Sequence, residues 1–222
     1  MTPSPAPRGG LFITLEGVDG SGKSTQVRLL SDALRLAGHQ VVVTREPGGS
    51  PGAEQIRALV LEGDPDRWSA ETEILLFTAA RRDHLEKTIA PALAAGKIVI
   101  CDRFADSTRM YQGISRGDLR GLVDRLHALM IGIDPDLTFI IDIDPALGLT
   151  RAKGRRGHEE RFEDFGEALQ QKMRAGFLAL AQEFPHRCRV VDGGRSSETI
   201  AADILALTRA RIAADPAPPA PA

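Results

Sequence analysis

Short, nearly continuous apolar runs alternate along this chain with longer stretches in which apolar residues recur at helical spacing. The short runs are typical of β-strands that are covered on both faces. They span residues 11–16, 40–44, 97–102, 137–143 and 188–192. The longer stretches predict helices at residues 23–37, 52–62, 70–95, 118–131, 146–156, 163–184 and 196–213.

This alternation predicts right-handed β-α-β crossovers, and hence an α/β fold with a five-stranded parallel sheet flanked by helices. Because neither an internal repeat nor a change of composition interrupts it, we expect one domain over residues 11–214. Residues 1–10 and 215–222 are rich in proline, alanine or glycine, and we expect them to be disordered tails.

Composition narrows the range of partners. The formal net charge of -2 argues against nucleic acid or an anionic membrane surface as the main partner. No apolar run approaches the roughly 20 residues that cross a bilayer, and the N-terminal residues lack a signal-peptide pattern. We therefore expect a cytoplasmic protein.

Cys101 and Cys188 lie far apart, which favours buried thiols over a disulfide framework or a metal site.

The segment GVDGSGKST, residues 17–25, lies directly after the first predicted strand and opens the first predicted helix. Its G-x-x-x-x-G-K-S spacing is that of a phosphate-binding loop, whose glycines let backbone N–H groups point at phosphates. We expect Lys23 to reach the β- and γ-phosphates and Ser24 to ligate Mg²⁺. The predicted ATP-binding residues are Gly17, Val18, Asp19, Gly20, Ser21, Gly22, Lys23, Ser24 and Thr25.

A phosphate loop leaves several functions open. A GTPase would need a guanine-reading N-K-x-D motif, and this chain contains no asparagine. A motor or transport ATPase carries an aspartate at the end of an apolar strand, and Asp102 fits that place. The residues that follow Asp102 therefore decide between these possible functions.

Arginines follow the ends of two predicted strands, in TREPGG at 44–49 and DRFADSTRMYQG at 102–113. Open α/β sheets bind ligands at the carboxyl ends of their strands. We expect Arg45, Arg81 and Arg103 to converge there and to form a second anion site with forked contacts to a phosphate.

The order and spacing of LEGVDGSGKST, TREPGG, LLFTAARRDH and DRFADSTRMYQG resemble the thymidylate kinase family, from about Leu11 to about residue 210. The resemblance implies the P-loop nucleoside monophosphate kinase fold and transfer of the γ-phosphoryl group of ATP to dTMP. It further implies Mg²⁺ as cofactor, dTMP and ATP as partners, and a homodimer.

The resemblance also assigns a substrate site. It implies that Phe77 stacks on thymine, that Arg81 reaches the base carbonyl or the acceptor phosphate, and that Arg103 grips the phosphate of dTMP. Asp102 would help to hold Mg²⁺ through water, and Phe104 stands where tyrosine is commoner in the family. The full predicted dTMP site comprises Asp19, Arg45, Phe77, Arg81, Arg103, Ser107, Thr108, Tyr111 and Gln112.

Four of these residues have more detailed expected roles by the same resemblance. Asp19 would accept a hydrogen bond from the 3′-hydroxyl of dTMP, because a carboxylate accepts and a hydroxyl donates. Ser107 and Thr108 would bond the thymine edge, and Tyr111 would exclude a 2′-hydroxyl by its bulk.

The densest basic run, TRAKGRRGHEERFEDFG at 150–166, lies between two predicted helices, and we expect a closing lid at about residues 150–164. The resemblance is to the bacterial style, whose basic residues lie in the lid and not in the phosphate loop. Candidate lid cations are Arg151, Lys153, Arg155, Arg156 and Arg161. We expect Arg155 or Arg156 to stabilise the transition state, together with Lys23 and Arg103.

A phosphate acceptor is already ionised at neutral pH, so this chemistry needs no general base. Two alternatives remain open at this point. Another nucleotide or deoxynucleoside kinase of the same fold would act on a different acceptor, and a nucleoside acceptor would need a carboxylate base such as Glu16 or Asp19. A non-catalytic ATP-binding switch would leave Phe77, Arg81 and residues 102–113 without a role.

Overall fold

The computed structural model describes residues 9–64, 67–114, 117–153 and 167–214. Within these residues the chain forms a five-stranded parallel sheet with the order β2-β3-β1-β4-β5. The strands are β1 (Phe12–Glu16), β2 (Val41–Arg45), β3 (Ile98–Asp102), β4 (Leu137–Asp142) and β5 (Cys188–Asp192). The predicted sheet is therefore confirmed, with each strand end within one residue of its expected position.

Helices connect the strands and cover both faces of the sheet. They are α1 (Lys23–Leu36), α2 (Pro51–Leu61), α3 (Ala70–His84), α4 (Ala90–Ala94), α5 (Ala105–Thr108), α6 (Arg120–Leu126), α7 (Pro145–Lys153), α8 (Glu167–Glu183) and α9 (Ser197–Ala214). A π-helical stretch, Leu85–Ile89, joins α3 to α4, so that the single helix predicted at 70–95 is confirmed. A second one, His127–Ile131, extends α6.

One helical region was not predicted. Helix α5 continues into the π-helical stretch Arg109–Ile114, where the sequence indicates only a binding segment. Every residue from 105 to 113 is buried, polar ones included. A helix that is buried on all sides carries no apolar stripe, and hydrophobic periodicity cannot find it.

Strand β1 lies at the centre of the sheet and is completely buried. Ile13 and Leu15 face the cluster formed with α1 and α9, whereas Phe12 faces the cluster formed with α4 and β3. Strands β3 and β4 are buried in the same way, which explains their continuous apolar runs, whereas the edge strands β2 and β5 are partly exposed, against the expectation that both of their faces are covered. Glu16 ends this strand, is itself fully buried, and leads directly into the phosphate loop.

Several expectations fall outside or at the limits of the described residues. The predicted tails lie largely at residues 1–8 and 215–222, and most of the predicted lid, from residue 154 to about 164, also lies outside the residues that the structure describes. Both cysteines are buried free thiols. None of the helices in the described ranges is long and apolar enough to cross a membrane.

Candidate active site

The phosphate loop follows β1 in the geometry that its glycines allow. Gly17, Gly20 and Gly22 have φ values of 139, 75 and 97°, a region that side chains rarely adopt. A Cβ on Gly20 would lie 1.9 Å from the carbonyl oxygen of Gly148 in α7. The loop therefore packs against α7 only because this position has no side chain, and it ends at the N-terminus of α1, where backbone N–H groups favour an anion.

Lys23, the first residue of α1, folds its side chain back over this loop. Its ammonium donates to the carbonyl oxygens of Gly17 at 3.0 Å and Val18 at 2.8 Å. Burial, with the nearby charge of Arg103, lowers the pKa of Lys23 to about 8. A bound phosphate would stabilise the charged form, so the ammonium is placed to act as a phosphate ligand.

Ser24 and Asp102 meet at the outer side of the loop because β1 and β3 are neighbours in the sheet. The Ser24 hydroxyl donates to Oδ2 of Asp102 at 2.6 Å. Within the described ranges no group of three or more His, Cys, Asp or Glu side chains could hold a metal ion alone. This pair of hard oxygen donors fits Mg²⁺, which is typically bound by one or two protein oxygens together with phosphates and water.

An open cavity lies beside the phosphate loop. It is lined by Asp19, Glu46, Pro47, Leu61, Phe77, Arg81, Arg103, Phe104, Ser107, Thr108, Tyr111 and Gln112. The structure thus brings together every residue of the predicted dTMP site except Arg45. The sequence does not predict Glu46, Pro47, Leu61 and Phe104 as lining residues, although all but Leu61 stand within the motifs that carry the resemblance.

Arg103 connects the cavity to the phosphate loop. Its Nη1 donates to the Gly17 carbonyl at 3.1 Å and to the Ser107 hydroxyl at 3.0 Å. Its Nη2 donates to Asp19, and to the Tyr111 hydroxyl at 3.2 Å. The backbone of Arg103 has a φ of 68°, which is uncommon for a residue with a side chain and is typical of functional sites.

Asp19 belongs to the phosphate loop and also lines the cavity. It accepts from Arg103 and, at 3.0 Å, from the Tyr111 hydroxyl. Burial opposes its ionisation, but the charges of Arg103 and Lys23 outweigh burial and lower the pKa of this carboxyl. The acidic residue inside the loop is thus a charged acceptor that belongs to the neighbouring cavity.

Glu16 stabilises the backbone turn that follows Arg103. Its carboxylate accepts from the Phe104 backbone N–H at 2.7 Å and from the Ser107 hydroxyl at 2.6 Å. Complete burial, together with the charge of Asp106, raises the pKa of Glu16 to about 7. Since Glu16 does not line the cavity, its carboxylate is not placed to take a proton from a nucleoside hydroxyl.

Arg81 approaches the cavity from α3. Its Nε donates to Oε2 of Glu46 at 2.7 Å, and its Nη2 donates to the Thr108 hydroxyl at 3.0 Å. The guanidinium lies 5.0 Å from the ring centre of Phe104. Phe77, one helical turn earlier, adds an apolar wall that is 9% exposed.

Arg45 lies outside this cavity. It is exposed and pairs with Glu54, with both Nη2 to carboxylate oxygen distances at 3.3 Å. Successive residues of a strand face opposite sides, so that Glu46 and not Arg45 turns toward Arg81. The expected convergence holds for Arg81 and Arg103 only, and the binding role of Arg45 stays a prediction.

The predicted lid begins at the end of α7. Arg151 is half-buried and donates to the Gly193 carbonyl at 3.1 Å. The side chain of Lys153 and the whole of Arg155, Arg156 and Arg161 lie outside the part of the chain that is described. The lid and its transition-state cation therefore stay predictions.

Known proteins place the chain in a family. The family model for thymidylate kinase matches residues 15–204. The thymidylate kinase of Ruegeria pomeroyi is 76% identical over 195 residues, which is 88% of this chain and 92% of that protein. The thymidylate kinase of Jannaschia sp. is 63% identical over 203 residues, covering 91% and 98% of the two chains.

A solved structure gives the same result. The crystal structure of thymidylate kinase from Ehrlichia chaffeensis superposes with a TM-score of 0.72 and 37% sequence identity, covering 90% of this chain and 98% of that one. The P-loop nucleoside monophosphate kinase fold is thereby confirmed. From its sequence, its phosphate loop and these likenesses, the chain belongs to the thymidylate kinase family.

Proposed function

We propose that this chain transfers the γ-phosphoryl group of Mg-ATP to the phosphate of dTMP, giving dTDP for the supply of dTTP. Phosphorylation of dTMP follows from family membership, and the residue roles below are our inference. The main support for these roles is the position of Arg103. It donates to the Gly17 carbonyl in the phosphate loop and to the Asp19 carboxylate, which lines the cavity. One guanidinium thus lies between a site for the donor phosphates and a site for the acceptor.

In the donor site, the loop backbone from Gly17 to Thr25 and the Lys23 ammonium would hold the β- and γ-phosphates of ATP. Lys23 now bonds backbone carbonyls, which anionic oxygens would replace as stronger acceptors. Ser24, with Asp102 behind it, would hold Mg²⁺. The ion, when bound, neutralises charge on the phosphates and orients them.

In the acceptor site, Arg103 would bind the phosphate of dTMP and Phe77 would stack on the base. Arg81 would donate to a base carbonyl, beside Ser107 and Thr108, and Gln112 would lie near the deoxyribose. Asp19 would accept from the 3′-hydroxyl. The Tyr111 ring, 5.0 Å from the Arg103 guanidinium, would close the space in which a 2′-hydroxyl would have to fit.

Catalysis would then consist of positioning and charge neutralisation. The attacking oxygen of dTMP is ionised, and no proton has to be removed. Negative charge develops on the transferred phosphoryl group, where Lys23, Arg103 and the predicted lid residue Arg155 or Arg156 would stabilise it. An arginine that stabilises this charge is worth about 10³ to 10⁵ in rate in related phosphoryl-transfer enzymes.

An acceptor panel tests this function. ADP release from Mg-ATP is measured with dTMP, thymidine, other deoxynucleoside monophosphates and no acceptor. We expect dTMP to give the highest kcat/KM and Lys23→Met to lower turnover by about 10³-fold or more with the fold retained. A preference for thymidine, or ADP release that ignores the acceptor, would overturn the proposal.

The proposal extends to assembly and location. A homodimer is supported by exposed apolar side chains on neighbouring helical elements, namely Leu59, Leu75 and Leu129. A cytoplasmic location is supported by the two free thiols, which are usual where the compartment is reducing. Light scattering at several protein concentrations tests the dimer.

A further inference from the structure

Three side chains behind Arg81 form a hydrogen-bonded chain that we call the relay: Thr44 on β2, His84 on α3, and Glu46 just after β2. Thr44 Oγ1 lies 2.6 Å from His84 Nε2, and His84 Nδ1 lies 3.0 Å from Glu46 Oε1. The second carboxylate oxygen, Oε2, accepts from Arg81 Nε at 2.7 Å. His84 is 0% exposed, so this chain runs through the interior and ends at the cavity wall.

The relay has a defined direction. A carboxylate only accepts hydrogen bonds, so His84 must donate from Nδ1 to Glu46. A neutral imidazole then accepts at Nε2, and the Thr44 hydroxyl donates there. Glu46 and Arg81 also form a buried ion pair at 2.7 Å, and opposite charges with good hydrogen bonds are the condition for burying such a pair.

The surroundings hold the imidazole in place. Gly49 packs on the Thr44–His84 contact so closely that a Cβ there would lie 2.4 Å from His84 Nε2 and 2.4 Å from Thr44 Oγ1. Gly49 is held in turn by Thr88, which donates to its carbonyl at 2.7 Å. The imidazole is thus bonded at both of its nitrogens, and the Glu46 carboxylate at both of its oxygens.

Arg81 is constrained on the cavity side as well. Its Nη2 donates to Thr108, and its plane lies near the Phe104 ring. A guanidinium only donates, so a group held in this way favours a carbonyl oxygen over an amino group at the position it faces. Such a donor is selective only if its side chain is held in one position, because a mobile side chain can adapt to a carbonyl or to an amino group.

We infer that Glu46 and His84 are positioning residues that make Arg81 select acceptor bases carrying a carbonyl, and not an amino group, on the pyrimidine edge. This inference rests on the proposed function. It predicts that weakening the relay reduces one kind of discrimination, between dUMP and dCMP, which differ in that edge. Discrimination between dTMP and dUMP, which differ only by a methyl group, is unaffected.

The test compares matched variants of the full chain by ADP release with dTMP, dUMP and dCMP. His84→Leu keeps an apolar side chain of similar size and removes both hydrogen bonds, whereas His84→Asn keeps an N–H donor near the Nδ1 position. Thr78→Val is the control, since Thr78 loses one buried hydrogen bond in the same helix and does not line the cavity. Thermal unfolding shows that each variant is folded.

We expect His84→Leu to reduce the dUMP to dCMP ratio of kcat/KM by about tenfold, with the dTMP to dUMP ratio and the KM for ATP within about twofold of wild type. His84→Asn should restore most of the ratio, and Thr78→Val should leave it unchanged. If His84→Leu does not fold, Thr44→Val decides, since it removes only the hydroxyl behind the ring and should lower the same ratio by a smaller factor.

An unchanged dUMP to dCMP ratio in His84→Leu, or in Thr44→Val where that variant decides, would overturn the inference. So would an equal fall in Thr78→Val. If the wild-type chain releases no ADP with dTMP, the proposed function itself is wrong and the inference falls with it. If the wild type uses dTMP and only the ratios fail to respond, the proposed function stands and the relay has no part in selectivity.

Discussion

The guanidinium of Arg103 donates to the carboxylate of Asp19, which lies 84 positions away along the chain and inside the phosphate loop. Tyr111 closes the arrangement, because its hydroxyl accepts from Arg103 at 3.2 Å and donates to Asp19 at 3.0 Å. An acidic residue in a phosphate loop would repel phosphates if its charge were unbalanced. Here the charge is balanced by an arginine that belongs to the acceptor cavity.

Asp19 should therefore matter more for the acceptor than for the donor. We expect Asp19→Ala to lower kcat/KM for dTMP by about 10- to 100-fold, because Arg103 and the substrate 3′-hydroxyl both lose their acceptor. The KM for ATP should stay within about twofold of wild type. Initial rates with each substrate varied in turn measure both effects. Equal losses for dTMP and ATP would mean that Asp19 serves the phosphate loop alone.

Lys23 gives the donor site a pH dependence. Its pKa of about 8 in the free protein means that the ammonium loses its proton as the pH rises through 8. We expect kcat/KM for ATP to fall above this pH, and ATP binding at pH 8 to 9 to take up a proton. Calorimetry in two buffers of different ionisation enthalpy measures that uptake. Lys23→Arg stays charged and is the control, so the same fall in this variant would point to another group.

Glu16 should make stability depend on pH. Its pKa is raised from 4.5 to about 7 by burial, so between these values the folded state binds a proton that the unfolded state has released. The free energy of unfolding should thus fall with rising pH across this window, by at most about 1.4 kcal/mol per pH unit from this group.

Urea unfolding between pH 5 and 8 measures this contribution as the difference between wild type and Glu16→Gln. Glutamine does not titrate and can still accept from the Phe104 N–H, so we expect a flatter profile for the variant. Parallel profiles would show that Glu16 has the same pKa in the folded and unfolded chains.

Tyr111 tests how the acceptor site rejects a ribose. If bulk excludes the 2′-hydroxyl, Tyr111→Ala should lower the dUMP to UMP ratio of kcat/KM by about tenfold, whereas Tyr111→Phe should keep it. Tyr111→Phe removes the hydroxyl that bonds Asp19 and Arg103, and should lower the rate with dTMP. A loss of discrimination in Tyr111→Phe would assign the selectivity to the hydroxyl and not to the ring.

The central strands and most helices were predictable because each buries a continuous run or a stripe of apolar side chains. The edge strands β2 and β5 are partly exposed and were predictable from their β-branched residues. The phosphate loop was predictable because its glycines and Lys23 stand at fixed spacing after β1. Residues 105–114 were not recognised as helical, since their polar side chains are buried beside apolar ones.

The relay was also beyond sequence reasoning. Nothing local to His84 indicates that it meets Glu46, because that contact depends on how α3 packs against the end of β2. The same packing decides that Glu46 faces the cavity and Arg45 does not. Sequence motifs therefore predicted most of the residues that line the site, but not Glu46 and His84, which hold Arg81 in place.

The most direct test of the account is the rate of ADP release from Mg-ATP with saturating dTMP in wild type and in Arg103→Met. Arg103 is placed between donor and acceptor, and methionine fills much of its volume without its charge. We predict dTMP-dependent ADP release by the wild type and a loss of about 10³-fold or more in the folded variant. Turnover of Arg103→Met close to that of wild type would contradict the account.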